Sequence, residues 1–162
     1  MLRPLTLPLA LAAVVTLTTV TSIGTTPAFA DGHAAKGLTI MESPHDVATT
    51  VEKLTAAIEK SPATLFATID HGAGAKKAGL ELPPAVLVLF GNPKVGTPIM
   101  QADARAGLDL PVRVLVHEVD GKTMLVARNA DGLKALHDIA AAEKPLNMLD
   151  GAIGKLMEAA TK

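Results

Sequence analysis

Hydrophobic and polar residues alternate over some stretches of this chain and recur every three to four residues over others, which predicts strands and helices respectively. Residues 37–42 alternate and predict a first strand. Ser43 and Pro44 follow, and these residue types are preferred at the N-cap and the first position of a helix. The predicted helix has one apolar stripe suited to packing on a sheet, formed by Val47, Val51, Leu54 and Ile58.

The middle of the chain predicts further strands separated by short helices. Residues 64–69 form a second predicted strand, after which Asp70 opens a short helix that Gly79 closes. Residues 86–90 are apolar without interruption, which is typical of a strand covered on both faces. In a chain of this size the second cover is expected to come from a partner subunit, so the pattern predicts a homodimer.

The last third of the chain predicts a hairpin and helices. A third helix is expected to start at Thr97-Pro98 and to run to about Arg105. Residues 112–118 and 123–127 are apolar strands on either side of an Asp-Gly turn, which predicts a β-hairpin. Two helices are predicted after it, over residues 133–142 and from Met148 with Asn147 as cap. The order of elements, a strand, a helix, four strands interrupted by short helices and then a C-terminal helix, predicts an α+β fold of two layers.

Residues 1–30 have the pattern of a secretory signal peptide, with Arg3 before an apolar stretch and Ala28-Phe29-Ala30 as a small-residue cleavage site. A membrane anchor is the alternative, but Pro4 and Pro8 shorten the apolar run below the ~20 residues of a spanning helix. We therefore expect a periplasmic or secreted protein with no membrane attachment after cleavage. Residues 31–36 are then a flexible leader and 37–162 a single domain.

Composition excludes several classes of function. The chain has no cysteine, which rules out disulfides, thiolate metal sites and covalently attached c-type haem. Its formal net charge is −1 and it has no Trp or Tyr. A nucleic-acid surface needs clustered basic residues and usually aromatic rings for stacking, so nucleic acid is not an expected partner.

A run of motifs in residues 69–116 carries a family resemblance. The motifs are Asp70-His71, then Phe90-Gly91-Asn92-Pro93, then Gly96-Thr97-Pro98 and Asp109-Leu110-Pro111. Their order and spacing resemble those of the bacterial domain-of-unknown-function family 302. The resemblance implies a two-layer β-α-β(4)-α arrangement similar to the TATA-binding-protein-like fold, with the helices on one face of the sheet. It implies no reaction. A fold shared with a DNA-binding protein carries no functional argument.

His71 is the leading candidate for a functional side chain. It follows a predicted strand and precedes Gly72, which leaves room around the ring. Neutral imidazole is a good ligand for a metal or a haem iron, and the alternative is a structural histidine bonded to a backbone carbonyl. Asp70 is expected to cap the following helix and not to orient the ring of His71, because adjacent residues of a strand point to opposite faces.

Other polar residues complete the candidate site. His45 and His117 are the residues that the fold could bring to His71 as further metal ligands, whereas His33 and His137 are predicted to be solvated. Asn92 and Thr97, in the turn before the third predicted helix, are predicted to contact a bound cofactor or substrate together with His71.

Three functions stay open on the sequence alone. The first is an exported, non-enzymatic module that binds a small ligand near His71, with haem or a transition metal as its possible cofactor. The second is a small periplasmic enzyme with His71 as general acid or base, although no second titratable group is placed beside it. The third is an interaction protein without a ligand.

Overall fold

A computed structural model of the protein describes residues 36–162. Within them, five strands form one antiparallel sheet in the order β1-β5-β4-β3-β2. The strands are β1 (Leu38–Ser43), β2 (Thr64–Asp70), β3 (Ala85–Gly91), β4 (Val112–Val119) and β5 (Lys122–Arg128). The predicted signal peptide and nearly all of the predicted leader lie outside the described residues.

Five α-helices connect and cover these strands in the described part of the chain. They are α1 (Val47–Glu59), α2 (His71–Lys77), α3 (Pro93–Ala102), α4 (Ala130–Lys134) and α5 (Glu143–Ala160). Short 3-10 turns follow α3 and precede α5, at Ala104–Leu108 and Ala140–Ala142. The α+β class and the five-stranded arrangement predicted from the sequence are confirmed. No helix within residues 36–162 is both long and apolar enough to cross a membrane.

The hydrophobic core lies between one face of the sheet and the two long helices, α1 and α5, which pack on each other and on the strands. Strand alternation directs Val88, Val114 and Val116 into it, and all three side chains are fully buried. The predicted stripe of α1 is confirmed at Leu54 and Ile58, which have no exposed surface. Each such side chain stabilises the fold by about 1.5–3 kcal/mol relative to its exposed state.

The opposite face of the sheet, called the open face below, is not buried by the helices. It carries Leu87, Leu115 and Val126, which are half-buried, while Ile40 and Ile69 at its two edges are 45% and 44% exposed. The strand predicted over residues 86–90 is confirmed. Only one of its faces is covered within residues 36–162, so cover by a partner stays a prediction.

The start of α1 differs from the prediction at Ser43-Pro44. Asp46 is the cap, since its carboxylate accepts a hydrogen bond from the Thr49 amide at 2.7 Å. Ser43 ends β1 instead and is buried, where its hydroxyl lies 2.8 Å from the Thr50 hydroxyl. Because the Ser43 hydroxyl bonds to the buried Thr50, it does not cap the helix. The next acidic residue, Asp46, is the cap instead.

Two other helix starts were predicted too late in the chain. The third helix begins at Pro93 and not at Thr97-Pro98, because the Asn92 side chain accepts a hydrogen bond from the Lys94 amide at 2.9 Å. The last helix begins at Glu143 and not at Met148. Its Pro145 falls in the first turn, where the missing amide hydrogen has no intrahelical partner to lose. The helix predicted over 133–142 is replaced by α4 and a 3-10 turn.

The turns that depended on local sequence are as predicted. Asp120 and Gly121 have φ angles of 51° and 73° and connect β4 to β5. Positive φ at both positions matches the twist of a two-residue hairpin turn. Gly79, with φ of 72°, lies just past the end of α2.

Candidate functional site

An apolar pocket of about 350 Å³ lies at the ends of β3 and β4, between α3 and α5. Its walls include Phe66, Phe90, Val95, Leu110, Leu149 and Ile153. None of the described residues that line it is charged, and its polar side chains are those of Asn92 and Thr97. Its volume falls at the lower end of the range for small-molecule sites.

The two polar residues of the pocket have different roles. The Asn92 amide donates to the Pro62 carbonyl at 3.0 Å, and its carbonyl oxygen accepts from Lys94, so its side chain is used in holding α3 against the end of α1. Thr97 lies one turn into α3, and its hydroxyl forms no hydrogen bond within residues 36–162. It is therefore the polar side chain of the pocket that is free to contact a ligand.

Gly91 and Gly107 keep the pocket open at two walls. A Cβ on Gly91 would lie 3.3 Å from Pro111 and 3.6 Å from the Phe66 ring, and one on Gly107 would lie 3.1 Å from the Met100 methyl group. A side chain at either position would push against these apolar groups, so the two glycines preserve the space of the pocket. The Phe90-Gly91-Asn92-Pro93 motif of the sequence thus forms part of the pocket wall.

His71 lies outside this pocket. It is the first residue of α2, and its side chain is exposed. Asp70 accepts a hydrogen bond from the Ala73 amide at 2.8 Å, which confirms its predicted role as a helix cap. A second depression beside α2 includes Gly72 and Lys76, but not His71, and nearly all the residues around it are exposed.

The three histidines predicted as metal ligands are associated with three different strands of the sheet. His71 follows β2 at one edge of the sheet, and His45 follows β1 at the other, with three strands between them. Strands are spaced about 4.8 Å apart, so these two rings are separated by roughly 19 Å across the sheet. His117 lies on β4, between Ala85 and Met124 on the neighbouring strands. Among residues 36–162, no three His, Cys, Asp or Glu side chains are grouped to hold a metal ion.

The prediction that His137 is solvated is wrong. Its side chain is 7% exposed, and its Nε2 lies 2.8 Å from the Asp109 carboxylate. The Nδ1 atom is buried and has no partner among the described residues. No local signal in the sequence indicates this contact, because Asp109 of the Asp-Leu-Pro motif lies 28 residues before His137.

Asp109 also binds two cations at the ends of β4 and β5. Its carboxylate lies 2.7 Å from the Arg113 guanidinium and 3.7 Å from that of Arg128. Nearby, Asp103 pairs with Arg105, and the hydrogen bonds that Arg105 donates hold the pKa of the Asp103 carboxyl well below its usual range. These contacts tie the 3-10 turn after α3 to the sheet and to the segment after α4.

The comparison with protein families identifies the chain. Residues 39–156 match the family described as "Domain of unknown function DUF302". The chain belongs to this family. The resemblance seen in the motifs of the sequence is therefore confirmed, and the DUF302 region includes the whole sheet except Leu38.

Curated relatives of this DUF302 protein carry a name that concerns fluoride. "Fluoride-specific ion channel FluC 1" of Brucella suis biovar 1 and the protein of the same name from Brucella abortus biovar 1 are each 44% identical to it over 104 residues. The alignments cover 64% of this chain but 41% and 38% of those proteins. The chain thus spans about two-fifths of the length of the curated relatives it matches.

A solved structure has the same fold. The crystal structure of an uncharacterized conserved DUF302 protein from Bacillus stearothermophilus superposes with a TM-score of 0.61, over 77% of this chain and 95% of that one. The two sequences are 16% identical, so the likeness concerns the fold alone.

Proposed function

We propose that this DUF302 protein is a non-enzymatic binding module that takes up a small, uncharged, largely apolar molecule in the pocket between α3 and α5. The observation that carries the proposal is the pocket itself, about 350 Å³ of apolar space without a charged residue among its described lining. Burying an ionised group without a partner is costly, so such a pocket favours neutral ligands. The Thr97 hydroxyl supplies one hydrogen bond to orient the ligand.

The pocket supports a binding module better than an enzyme. General acid–base catalysis requires a titratable group within hydrogen-bond reach of the reacting atom. The described residues that line the pocket include no titratable side chain, and His71 is not one of them. A periplasmic enzyme that uses His71 would have to act at the exposed surface beside α2.

The sequence also suggested a more specific proposal, in which the bound ligand is haem or a transition metal near His71. His71 itself is an exposed imidazole at the start of α2, and the neighbouring Asp70 carboxylate is engaged as a helix cap. The described lining of the apolar pocket contains no histidine. The geometry therefore favours an organic ligand over a haem or a metal ion.

The name of the Brucella relatives is not carried over to this protein. The aligned segment leaves more than half of each relative without a counterpart in this chain. We propose instead that the module acts after export, in the periplasm or outside the cell, a location supported by the signal-peptide pattern of residues 1–30.

Fluorescence titration with the uncharged apolar probe N-phenyl-1-naphthylamine tests the pocket. The chain has no Trp or Tyr, so the protein adds little fluorescence of its own. We expect saturable binding by the parent protein and a loss of affinity of at least tenfold in Ala152→Phe, which fills the pocket from α5.

Ala159→Phe is the matched control for that experiment. It lies on the same side of α5 as Ala152, two turns further along, is likewise exposed, and does not line the pocket. The control is expected to bind the probe as the parent does. Equal binding by both variants, or no saturable binding by the parent, would show that the pocket is not a binding site.

An absorbance spectrum of the purified protein from 250 to 700 nm, with elemental analysis, tests the haem or metal form separately. A visible band or a stoichiometric metal that is lost in His71→Ala would replace the apolar-ligand proposal with a cofactor at His71. A parent spectrum without such a band, together with probe binding, supports the organic ligand.

A further inference from the structure

The open face of the sheet carries one continuous apolar row that crosses all five strands. Strand register places Ile40 beside Val126, Val126 beside Leu115, Leu115 beside Leu87, and Leu87 beside Ile69. Residues paired in register point to the same face of a sheet. The row is therefore a continuous ridge of branched side chains, none of which is buried within the described chain.

Charged residues border this row but are already paired. Of the side chains that the five strands present on the open face, four are charged, and they lie toward its two ends. Arg113 and Arg128 are bound by Asp109, and Lys122 lies 2.9 Å from Glu42. Two arginines against the one Asp109 carboxylate leave a single excess positive charge on this face, too little for nucleic acid or an anionic membrane surface, which bind clusters of basic residues. An apolar surface of similar shape is the complementary partner.

We propose that this partner is a second copy of the chain and that two open faces pack together as a β-sandwich across a two-fold axis through Leu115. Such an axis maps the row onto itself, with each Leu115 over its copy, Leu87 over Val126, and Ile69 over Ile40. Every contact is then apolar on both sides. The axis also brings Arg113, two residues before Leu115 on β4, toward its own copy, and in each chain the Asp109 carboxylate 2.7 Å away offsets this guanidinium.

The size of the face agrees with a dimer. Five strands spaced about 4.8 Å apart and about 20 Å long give roughly 500 Å² in projection. Because side chains project from the sheet, the accessible area of the face exceeds this projected area and approaches the ~800 Å² that each partner buries in a standard interface. Two sheets packed in this way lie about 10 Å apart with their side chains interdigitated. The half-buried side chains of β3, at Leu87 and Leu89, would be covered in the dimer, in line with the cover on both faces that the continuous apolar strand predicts.

Sedimentation equilibrium at micromolar protein concentration tests the proposal. The parent is expected to have the mass of a dimer, and Leu115→Glu the mass of a monomer with an unchanged far-ultraviolet circular dichroism spectrum. Met148→Glu is the control, because Met148 is 50% exposed and lies on α5, in the layer that covers the other face of the sheet. That control should remain a dimer. A monomeric parent, or a dimer that persists in Leu115→Glu, would overturn the proposal.

Two variants at the edges test the axis and guard against unfolding of Leu115→Glu. Ile40 and Ile69 are at opposite edges of the sheet in one chain but meet across the proposed axis. Ile40→Glu should weaken dimerisation at least tenfold, and adding Ile69→Lys to the same chain should restore it through two symmetric ion pairs. A double variant that dimerises no better than Ile40→Glu would contradict the axis. The test is independent of the pocket, since none of these residues lines it.

Discussion

At the scale of single residues, Asp109 organises more of the described structure than His71 does. Its carboxylate contacts two arginines and a buried histidine, and these partners come from β4, β5 and the segment after α4. A carboxylate in such a position is stabilised by charge-assisted hydrogen bonds, and its removal leaves partners without acceptors. The Asp-Leu-Pro motif therefore marks a structural contact.

We expect His137→Ala to lower the free energy of unfolding by about 1–3 kcal/mol, because it removes a buried ring and leaves the Asp109 carboxylate with one partner fewer. His71→Ala, at an exposed position, should change it by no more than about 0.5 kcal/mol. Urea unfolding of both variants beside the parent measures the difference. A larger loss in His71→Ala than in His137→Ala would mean that the roles assigned to the two histidines are reversed.

What the sequence indicates about single residues depends on how far away their partners lie. Asp70 could be predicted as a cap because its acceptor role involves the amide of Ala73, three residues on. The burial of His137 could not be predicted, since its partner lies 28 residues earlier and is brought there by the sheet. Local hydrogen bonds follow from residue type and spacing, whereas distant ones require the fold.

At the scale of elements, α4 is fixed to the start of β1 by the close approach of two backbones. A Cβ on Gly132 would collide with the carbonyl oxygen of Gly37, and it would also lie 2.8 Å from the Arg128 side chain. Gly37 has a φ of 92°, a conformation that side chains rarely adopt. Two glycines are therefore needed where the first turn of α4 meets the residue before β1.

Gly132→Ala is expected to destabilise the protein by about 1–3 kcal/mol, because the methyl group must displace backbone that has no room to move. Gly151→Ala is the matched helix substitution. A Cβ there meets nothing within 4 Å, so the change should stabilise α5 by about 0.5–1 kcal/mol. Thermal unfolding of the two variants should shift the midpoint in opposite directions. A shift in the same direction would show that the Gly37–Gly132 approach is looser than described.

Element types could be predicted from the sequence more reliably than element ends. All five strands and the stripe of α1 follow from the apolar spacing, but Ser43 and Thr97 were assigned to helix starts that Asp46 and Asn92 occupy. All four residue types can cap a helix. Which of these residues caps the helix depends on competing contacts such as the Ser43–Thr50 hydrogen bond. The spacing of residue types along the sequence does not reveal such contacts.

At the scale of the whole molecule, the pocket is the feature that the sequence could not reveal. Its lining extends from Ala63 to Ile153 and includes parts of α3, α5, β3 and β4. Asn92 and Thr97 were chosen from the sequence as ligand contacts, and both lie in this lining, whereas His71 does not. An empty space between elements leaves no periodic pattern, so only the packed structure locates it.

The export proposed from residues 1–30 belongs to the scale of the whole molecule, and it can be tested on the full chain. We expect the mature chain to begin at Asp31, since Ala28 and Ala30 provide the small residues that signal cleavage requires. Intact-mass measurement of the exported protein gives the answer directly. Ala30→Phe should retain residues 1–30, because the bulky side chain blocks the cleavage site. A parent protein that keeps these residues in the membrane fraction would show an anchor in place of a signal.

The strand order also has a consequence for the synthesis of the chain. The single strand that β1 pairs with in the described sheet is β5, which ends at Arg128. A nascent chain that has not yet reached β5 therefore has a first strand with no neighbour, and α1 has no complete sheet to pack on. Closing this long loop is a late step with a large entropic cost. The complete sheet thus forms only after β5 has been synthesised, and this delay suits the export proposed above.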